Sequence, residues 1–330
     1  MKEAMYWEVE GDKVRCHLCP QECLIKEGDR GLCNVRKNID GKLYSIIYGK
    51  AASLAVDPIE KKPLYHFHPG SQVLSYGTVG CNLKCKFCQN ASLSCGDPDS
   101  PYLQEYSVDE LTEKALKHDG IAWTYNEPSI AYEYSLDVSK KLKENSDGYV
   151  VYVTNGFINN EPLEELSPYL DAMNIDIKAF HDDFYKKIVG GRLQPVLDTA
   201  KKAVELGIHV EVTYLIIPGH NDDDDELKDF SEWVNKNLGE DTVVHFSRFH
   251  PDHKMKDTTS TPESTMKNAR EIARDTGLNF VYLGNIPADN DTRCPECGAT
   301  IISRSFFSSG KLNLKKGKCP ECGRKIPIIY

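Results

Sequence analysis

The amino-acid sequence predicts an α/β protein built on a partial (β/α)6, TIM-like barrel, with a cysteine-rich segment on either side of it. Short apolar runs alternate with helical stretches from about residue 73 to residue 284, a pattern typical of parallel sheets with right-handed crossovers. Polar residues follow most of the apolar runs, and barrels of this kind gather such residues at one face. Eleven of the twelve cysteines fall into three groups, one inside the barrel and one at each end of the chain.

The predicted barrel strands cover, in order, residues 73–79, 120–124, 149–154, 172–177, 210–217, 243–247 and 279–283. Helices are predicted at 129–143, around 163–166, and at 195–207, 222–238 and 262–276. Polar segments follow five of these strands, namely 124–127, 154–156, 176–178, 218–221 and 248–251. Because the ends of parallel strands meet at one face, we expect the active site there.

Composition and charge exclude several classes of function. The chain of 330 residues has a formal charge of −10, which argues against nucleic-acid binding over the whole chain. No apolar run reaches the about 18 residues of a membrane span, and the segment 1–8 lacks the apolar core of an export signal. We therefore expect a cytoplasmic protein whose cysteines are metal ligands rather than disulfides.

The central cysteine group is Cys81, Cys85 and Cys88, spaced C-x3-C-x2-C with Phe87 just before the last cysteine. Three thiolates at this spacing can hold three irons of a [4Fe–4S] cluster and leave the fourth open for chemistry. A zinc site or a set of unrelated buried cysteines is the alternative. Cys95, which belongs to no group, is interpreted as a spectator.

The N-terminal cysteine group has the spacing C-x2-C-x3-C-x9-C and comprises Cys16, Cys19, Cys23 and Cys33. Four thiolates in so short a segment would stabilise it by binding a metal. Zinc is the first choice, and a second iron–sulfur cluster is the alternative.

The C-terminal group consists of two near-identical knuckles, Cys294-Pro-Glu-Cys297-Gly and Cys319-Pro-Glu-Cys322-Gly. Paired knuckles predict a zinc-ribbon-like domain with a four-cysteine zinc site, with a rubredoxin-like iron as the alternative. Residues 301–304 and 312–314 are expected to form its hairpin. The tail is basic, and we interpret it as a lid over the barrel rather than a docking surface for nucleic acid or an acidic partner.

These groups divide the chain into three predicted domains. Residues 1–70 hold the N-terminal four-cysteine segment and a β-rich lead-in, residues 71–285 the barrel, and residues 286–330 the ribbon-like tail. The lead-in ends in the segment 57–64, Asp-Pro-Ile-Glu-Lys-Lys-Pro-Leu, which we interpret as a loop. His66 and His68 follow it and are expected to be solvated.

The C-x3-C-x-aromatic-C pattern resembles that of the radical S-adenosylmethionine (radical SAM) superfamily. Residues 73–284 are similar to the activating enzymes of glycyl-radical enzymes, such as the pyruvate formate-lyase activating enzyme, with Thr-Tyr-Asn-Glu-Pro at 124–128 where that family has Gly-Gly-Glu-Pro. The resemblance implies that Tyr125, Asn126 and Glu127 hold the SAM amino group. It further implies that Asn155, Asp176 and Lys178 contact or order the rest of SAM, and that Asp176 with Thr154 joins a small cation site.

Over its whole length the chain resembles the radical SAM component of the AmmeMemoRadiSam system, which shares the segments 57–64, 125–128 and 247–251 and both cysteine-rich ends. It departs from the activating enzymes at the fifth strand, where they have an arginine for the SAM carboxylate. Lys178 and Arg248 are the candidates for that role here. The ferredoxin module of the larger activating enzymes is absent, since only Cys95 lies in its place.

The resemblance implies an oxidoreductase that cleaves SAM at a reduced [4Fe–4S] cluster to a 5′-deoxyadenosyl radical, which abstracts hydrogen from a substrate. A flavodoxin- or ferredoxin-like electron donor would be needed, and a protein substrate or partner is possible. The other interpretation is a non-catalytic iron–sulfur and zinc protein that serves electron transfer or scaffolding. That alternative does not explain the polar segments that follow successive strands.

Overall fold

The computed structural model describes all 330 residues, and its first 51 form small antiparallel sheets. β1 (Lys2–Glu3), β5 (Arg36–Ile39) and β6 (Lys42–Ser45) make one sheet. β2 (Trp7–Glu10), β3 (Lys13–Cys16) and β4 (Leu24–Lys26) make another. β7 (Lys50–Ala51) pairs with β10 (Gln104–Glu105). The N-terminal cysteines lie in and between these strands, so the lead-in is β-rich as the sequence predicts.

An eight-stranded sheet forms the barrel. Its strands are β8 (Ser53–Pro58), β9 (Gln72–Gly77), β11 (Gly120–Trp123), β12 (Tyr149–Thr154), β13 (Ala172–Asp176), β14 (His209–Ile216), β15 (Val243–Arg248) and β16 (Phe280–Gly284). The seven strands from β9 onward run parallel in sequence order, and β8 is antiparallel to β9. The edge strands β8 and β16 do not pair. The barrel is therefore partial, and β8 extends its sheet into the region predicted as the lead-in.

Helices follow six of the seven parallel strands, which gives the predicted six β/α units and one final strand. They are α1 (Ala91–Ser94), α2 (Val108–Ala115), α3 (Tyr132–Asn145), α4 (Asn160–Leu166), α5 (Asp182–Phe184), α6 (Leu193–Glu205), α7 (Asp224–Leu238) and α8 (Glu263–Asp275). The acidic run at 222–225 begins α7, because the Asp223 carboxylate accepts hydrogen bonds from the backbone N–H groups of Asp225 and Glu226. None of these helices has the length and apolar character that crossing a bilayer requires.

The tail folds differently from the predicted hairpin. β17 (Thr292–Arg293) pairs with β18 (Thr300–Ile302), and β19 (Arg304–Ser305) pairs with β20 (Ser308–Ser309). Residues 312–314 form no strand, and the backbone N–H of Asn313 only donates to the Ile301 carbonyl at 2.9 Å. The prediction was wrong because the turn at 306–307 closes a tighter hairpin within the first half of the tail.

A buried polar network fixes the loop at 59–68 to the barrel. The Glu211 carboxylate accepts from the backbone N–H groups of Tyr65 (2.9 Å) and His66 (2.7 Å) and lies 2.6 Å from Nε2 of His245. His66 is fully buried, packs against Phe280 and lies 2.8 Å from the Tyr282 hydroxyl. The expectation of a solvated His66 was wrong, because the tail and β16 cover the loop.

Candidate active site

The loop that follows β9 carries Cys81, Cys85 and Cys88. Backbone hydrogen bonds from Lys84 to Val189 (2.8 Å) and from Lys86 to Ile188 (3.0 Å) tie this loop to the chain after α5. The Asn82 side chain adds a bond to the Phe157 carbonyl at 2.7 Å. The three cysteines are thus held in place by other parts of the fold.

The thiols of this loop suit a metal cluster. Burial raises the pKa of Cys85 to about 11, although Lys178 opposes the rise, and burial together with Glu127 raises the pKa of Cys81 well above its usual value. Such thiols become ligands only when a metal displaces their protons. The three sulfur atoms do not all lie within 4.8 Å of one another, which is wider than one tetrahedral ion requires and fits a multi-iron group.

A cavity of about 880 Å³ opens at the C-terminal ends of the parallel strands, in the size range of ligand sites. The predicted site residues that line it are Cys81, Cys85, Phe87, Cys88, Tyr125, Asn126, Glu127, Thr154, Asn155, Asp176 and Lys178. Side chains from four consecutive strand ends thus meet at one place, as the parallel sheet requires.

Glu127 is the most heavily hydrogen-bonded carboxylate of the cavity. Its Oε1 accepts from the Ser129 backbone N–H (3.0 Å), the Ser129 hydroxyl (2.7 Å) and the Thr154 hydroxyl (2.7 Å). Its Oε2 accepts one bond, from the Asn155 backbone N–H at 2.8 Å. Burial raises the pKa of Glu127, and these hydrogen bonds oppose the rise. Oε2 therefore keeps acceptor capacity that a ligand ammonium would use.

The neighbouring amides support the cysteine loop. Asn126 accepts from the Thr78 backbone N–H (3.0 Å) and donates to the Gly80 carbonyl (3.0 Å). Asn155 donates to Asn82 at 2.9 Å, and its Nδ2 lies 3.7 Å from Sγ of Cys81. Both amides therefore help to fix the loop that carries Cys81.

Lys178 supplies a buried positive charge beside the cysteines. Its Nζ lies 3.1 Å from Asp176 Oδ2 and 5.9 Å from the centre of the Phe87 ring. Burial alone would lower the pKa of Lys178, but the negative charges of Asp176 and Cys85 raise it above its usual value. Asp176 and the Thr154 hydroxyl both have protein partners, Lys178 and Glu127. Each ligand of the predicted cation site is thus already engaged.

Among the residues predicted for the SAM site, Arg248 is the one that does not line the cavity. Its Nε donates to the Thr261 carbonyl at 2.8 Å, which ties the guanidinium to the segment before α8. His250, from the predicted polar segment 248–251, does line the cavity, whereas the sequence analysis missed Lys61, Lys62, His245, Phe306 and Phe307. The two lysines lie in the segment 57–64, which the sequence analysis interpreted only as a loop. The adjacent aromatic residues Phe306 and Phe307 were the signal that could have predicted a part for the tail in the cavity wall.

The two terminal cysteine groups differ in geometry. In the tail, Cys294 and Cys322 have sulfur atoms 3.5 Å apart, and those of Cys297 and Cys319 are 3.6 Å apart. All four sulfurs lie within 4.8 Å of one another, and no other group of histidine, cysteine or acidic side chains in the chain does so. The four N-terminal cysteines instead surround a small cavity. The tail therefore fits a single metal ion.

Comparison with known proteins supports the assignment of a family. Residues 75–233 match the family model described as the radical SAM superfamily. The chain is 47% identical to an uncharacterized protein of Methanocaldococcus jannaschii over 336 aligned residues, which cover 100% of both chains. It is 25% identical to the pyruvate formate-lyase-activating enzyme of Staphylococcus epidermidis over 181 residues, covering 51% of this chain and 70% of that one.

A solved structure shares the fold. A radical SAM methyltransferase from Sphaerobacter thermophilus superposes with a TM-score of 0.51 at 15% identity, over 64% of this chain and 68% of that one. The match at 75–233 identifies the class: the chain belongs to the radical SAM superfamily. Within that superfamily it is homologous to the pyruvate formate-lyase activating enzymes.

Proposed function

We propose that this protein is an enzyme that cleaves SAM reductively at a [4Fe–4S] cluster held by Cys81, Cys85 and Cys88. When bound, the cluster would supply one electron that breaks the bond between sulfur and the 5′ carbon of SAM. The products are methionine and a 5′-deoxyadenosyl radical, which takes a hydrogen atom from a substrate. The observation that carries the proposal is the meeting of the three cysteines with the polar ends of the next strands in one cavity.

The residues of the cavity have separate roles in this proposal. Glu127 receives the methionine ammonium on Oε2, the oxygen with one protein donor. Lys178 is the candidate for the methionine carboxylate, because its buried charge faces the same cavity and Arg248 does not. Asn126 and Asn155 position the loop of Cys81. The protein thereby orients SAM and excludes water.

The electron donor would be a flavodoxin- or ferredoxin-like protein, and the substrate a molecule or protein segment that enters the cavity. The finer resemblance to the AmmeMemoRadiSam component and to activating enzymes extends the proposal to a protein partner. Because iron–sulfur chemistry of this kind needs reduced thiols, we propose that the protein works in a reducing compartment such as the cytoplasm.

The test is anaerobic reconstitution with iron and sulfide, followed by reduction and addition of SAM. We expect 5′-deoxyadenosine and methionine, detected by mass spectrometry. Cys81→Ala, Cys85→Ala and Cys88→Ala should each abolish both products without unfolding the chain. Cys95→Ala is the matched control, because Cys95 is exposed and outside the cavity. A well-formed reducible cluster without SAM cleavage, even with candidate partners present, would favour the scaffold or electron-transfer function instead.

A further inference from the structure

We propose that Cys16, Cys19, Cys23 and Cys33 hold a second iron–sulfur cluster rather than a zinc ion, and that this cluster passes electrons to the one at Cys81, Cys85 and Cys88. The site itself is independent of the proposed function, whereas its role as a relay rests on that function. From the sequence, zinc was the first choice and a second iron–sulfur cluster the alternative, and the geometry points to that alternative.

The separation of the sulfur atoms is the first argument. Thiolates around one zinc ion, with Zn–S bonds of about 2.3 Å, lie about 3.8 Å apart. The tail cysteines match this arrangement, with sulfur pairs at 3.5 and 3.6 Å. Neither the N-terminal four nor the Cys81 loop contains three sulfurs that all lie within 4.8 Å of one another. The N-terminal group therefore resembles the cluster loop and not the ion site of the same chain.

The space between the N-terminal sulfurs is the second argument. The four cysteines line a cavity of about 20 Å³, which is room for about one water molecule, and its other walls include Leu18, Ile25 and Ile130. Gly31 keeps one wall open, because a Cβ there would lie 3.2 Å from the Ile25 side chain and 3.6 Å from Sγ of Cys23. A zinc ion with Zn–S bonds of about 2.3 Å would draw the four thiolates together and leave no such space between them. An iron–sulfur core is larger and keeps its ligand sulfurs farther apart.

Hydrogen-bond donors around the sulfurs are the third argument. The Leu32 backbone N–H lies 3.4 Å from Cys23 Sγ, and Nη1 of the buried Arg36 lies 3.8 Å from Cys16 Sγ. Donors and positive charge at cluster sulfurs stabilise the extra electron of the reduced state and so raise the reduction potential. Arg36 is itself paired with Glu133, which is fully buried.

The two segments that carry the cysteine groups are in direct contact, which is what a relay needs. A Cβ built on Gly80, the residue before Cys81, would come within 2.5 Å of the Cys33 carbonyl oxygen. Gln21, between Cys19 and Cys23, donates to the Asn82 carbonyl at 2.9 Å. Asn82 lines the N-terminal cavity and accepts from Asn155, which also reaches Cys81. The two sites therefore share one wall.

The relay transfers single electrons, and this step forms and breaks no covalent bond. A reduced flavodoxin- or ferredoxin-type donor loses one electron to the N-terminal cluster, which then passes it to the cluster at Cys81. Leu32 is 41% exposed beside Cys33, so a donor can approach the N-terminal group from solvent. The Cys81 cluster faces the cavity, where SAM and substrate would cover it.

The site is tested without SAM. The variant Cys81→Ala/Cys85→Ala/Cys88→Ala is reconstituted anaerobically with iron, sulfide and zinc offered together, and iron, acid-labile sulfide and zinc are measured with Mössbauer spectra. We expect about four irons and four sulfides to remain, as for a [4Fe–4S] cluster, and to be lost when Cys19→Ser and Cys23→Ser are added. The measured sulfide distinguishes a cluster from a rubredoxin-like iron in the tail, because the latter contains no inorganic sulfide. A triple variant with no sulfide and a second zinc would overturn the proposal.

If the variants misfold, the unaltered chain provides a second test of the N-terminal cluster. There, Mössbauer and EPR spectra should show two clusters, with about eight irons in total, whereas iron and sulfide for one cluster only would contradict the proposal.

The relay is tested with Cys19→Ser alone. Reduction of the Cys81 cluster by flavodoxin should slow severalfold, while dithionite-driven SAM cleavage persists. An unchanged rate with flavodoxin would overturn the relay, and absence of SAM cleavage in the unaltered chain would count only against the proposed function.

Discussion

The phenolic hydroxyl of Tyr125 donates a hydrogen bond to Asp57, with 2.6 Å between Tyr125 Oη and Asp57 Oδ2. The same oxygen accepts from the Lys62 ammonium at 2.7 Å, and that ammonium lies 4.7 Å from the centre of the Tyr125 ring. The antiparallel edge strand β8 thereby fixes a residue predicted to bind SAM. The hydroxyl of Tyr125 supports the wall of the cavity, and the positive φ of 71° at this residue turns the backbone toward Asn126 and Glu127.

Removing the charge of Asp57 should destabilise the fold. In Asp57→Asn the Lys62 ammonium, whose side chain is 2% exposed, loses its only buried counter-charge. Breaking a buried pair from one side costs about 3 kcal/mol, which urea unfolding would measure. Asp182→Asn, which breaks the exposed pair with Lys186, should cost under about 1 kcal/mol. Equal losses in the two variants would contradict this role of Asp57.

The carboxylate of Glu127 should be needed in its ionised form. Glu127→Gln conserves shape but places an amide N–H among four donors, so we expect a loss of about 1–3 kcal/mol in unfolding free energy. Weaker SAM binding, measured by titration calorimetry on the reconstituted protein, should accompany it. Glu113→Gln on the exposed face of α2 is the control. Unchanged SAM affinity in Glu127→Gln would argue against its proposed contact with the ammonium.

Acid should destabilise the protein through His66. Burial lowers the pKa of His66 from 6.5 to about 3, so between these values the unfolded chain binds a proton that the folded chain does not. The contribution of the neutral ring is complete above pH 6.5 and is lost as the pH falls toward 3. Between pH 7 and pH 5 the loss is about 2 kcal/mol.

Urea unfolding at the two pH values checks the prediction for His66. His66→Gln should show a smaller decline between pH 7 and pH 5 than the unaltered chain, although it is less stable at pH 7. His220→Gln, at an exposed position, should decline as the unaltered chain does. A decline in His66→Gln as large as that of the unaltered chain would mean that another group carries the effect.

The tail should bind one metal ion independently of the other cysteines. Cys297→Ser removes one of four sulfurs that lie within 4.8 Å of one another, and a structural ion contributes directly to folding. We expect loss of one equivalent of metal and faster proteolysis after residue 290. Cys95→Ser should change neither. Retention of the ion in Cys297→Ser would show that the four cysteines do not form one site.

The sequence predicted the parallel strands of the barrel because each of them is a short apolar run, and most are followed by their own turn and helix signals. The cysteine groups could also be predicted from the sequence, since metal ligands recur at fixed local spacings. The cavity residues after four strands followed from the geometry of a parallel sheet, although Arg248 did not enter the cavity, because its Nε hydrogen-bonds to the Thr261 carbonyl.

The remaining features depend on contacts between distant parts of the chain. His66 is solvated or buried according to where β16 and the tail lie, and nothing near it in sequence decides this. Glu211 finds its partners in a loop about 145 residues earlier. The hairpin at 304–309 is set by a turn at Phe306, a residue with positive φ and no glycine to mark it.

Arg304 extends from the tail into the barrel, where its guanidinium lies 3.3 Å from Glu60 and over the ring of Tyr65. Both ends of this ion pair are about 1% exposed, and Glu60 and Tyr65 belong to the cavity wall. If the tail holds the proposed metal, its loss would loosen the cavity wall at Glu60 and Tyr65 and leave the loop of Cys81, Cys85 and Cys88 in place. On this proposal, metal starvation would reduce activity through the tail before it affects those three cysteines.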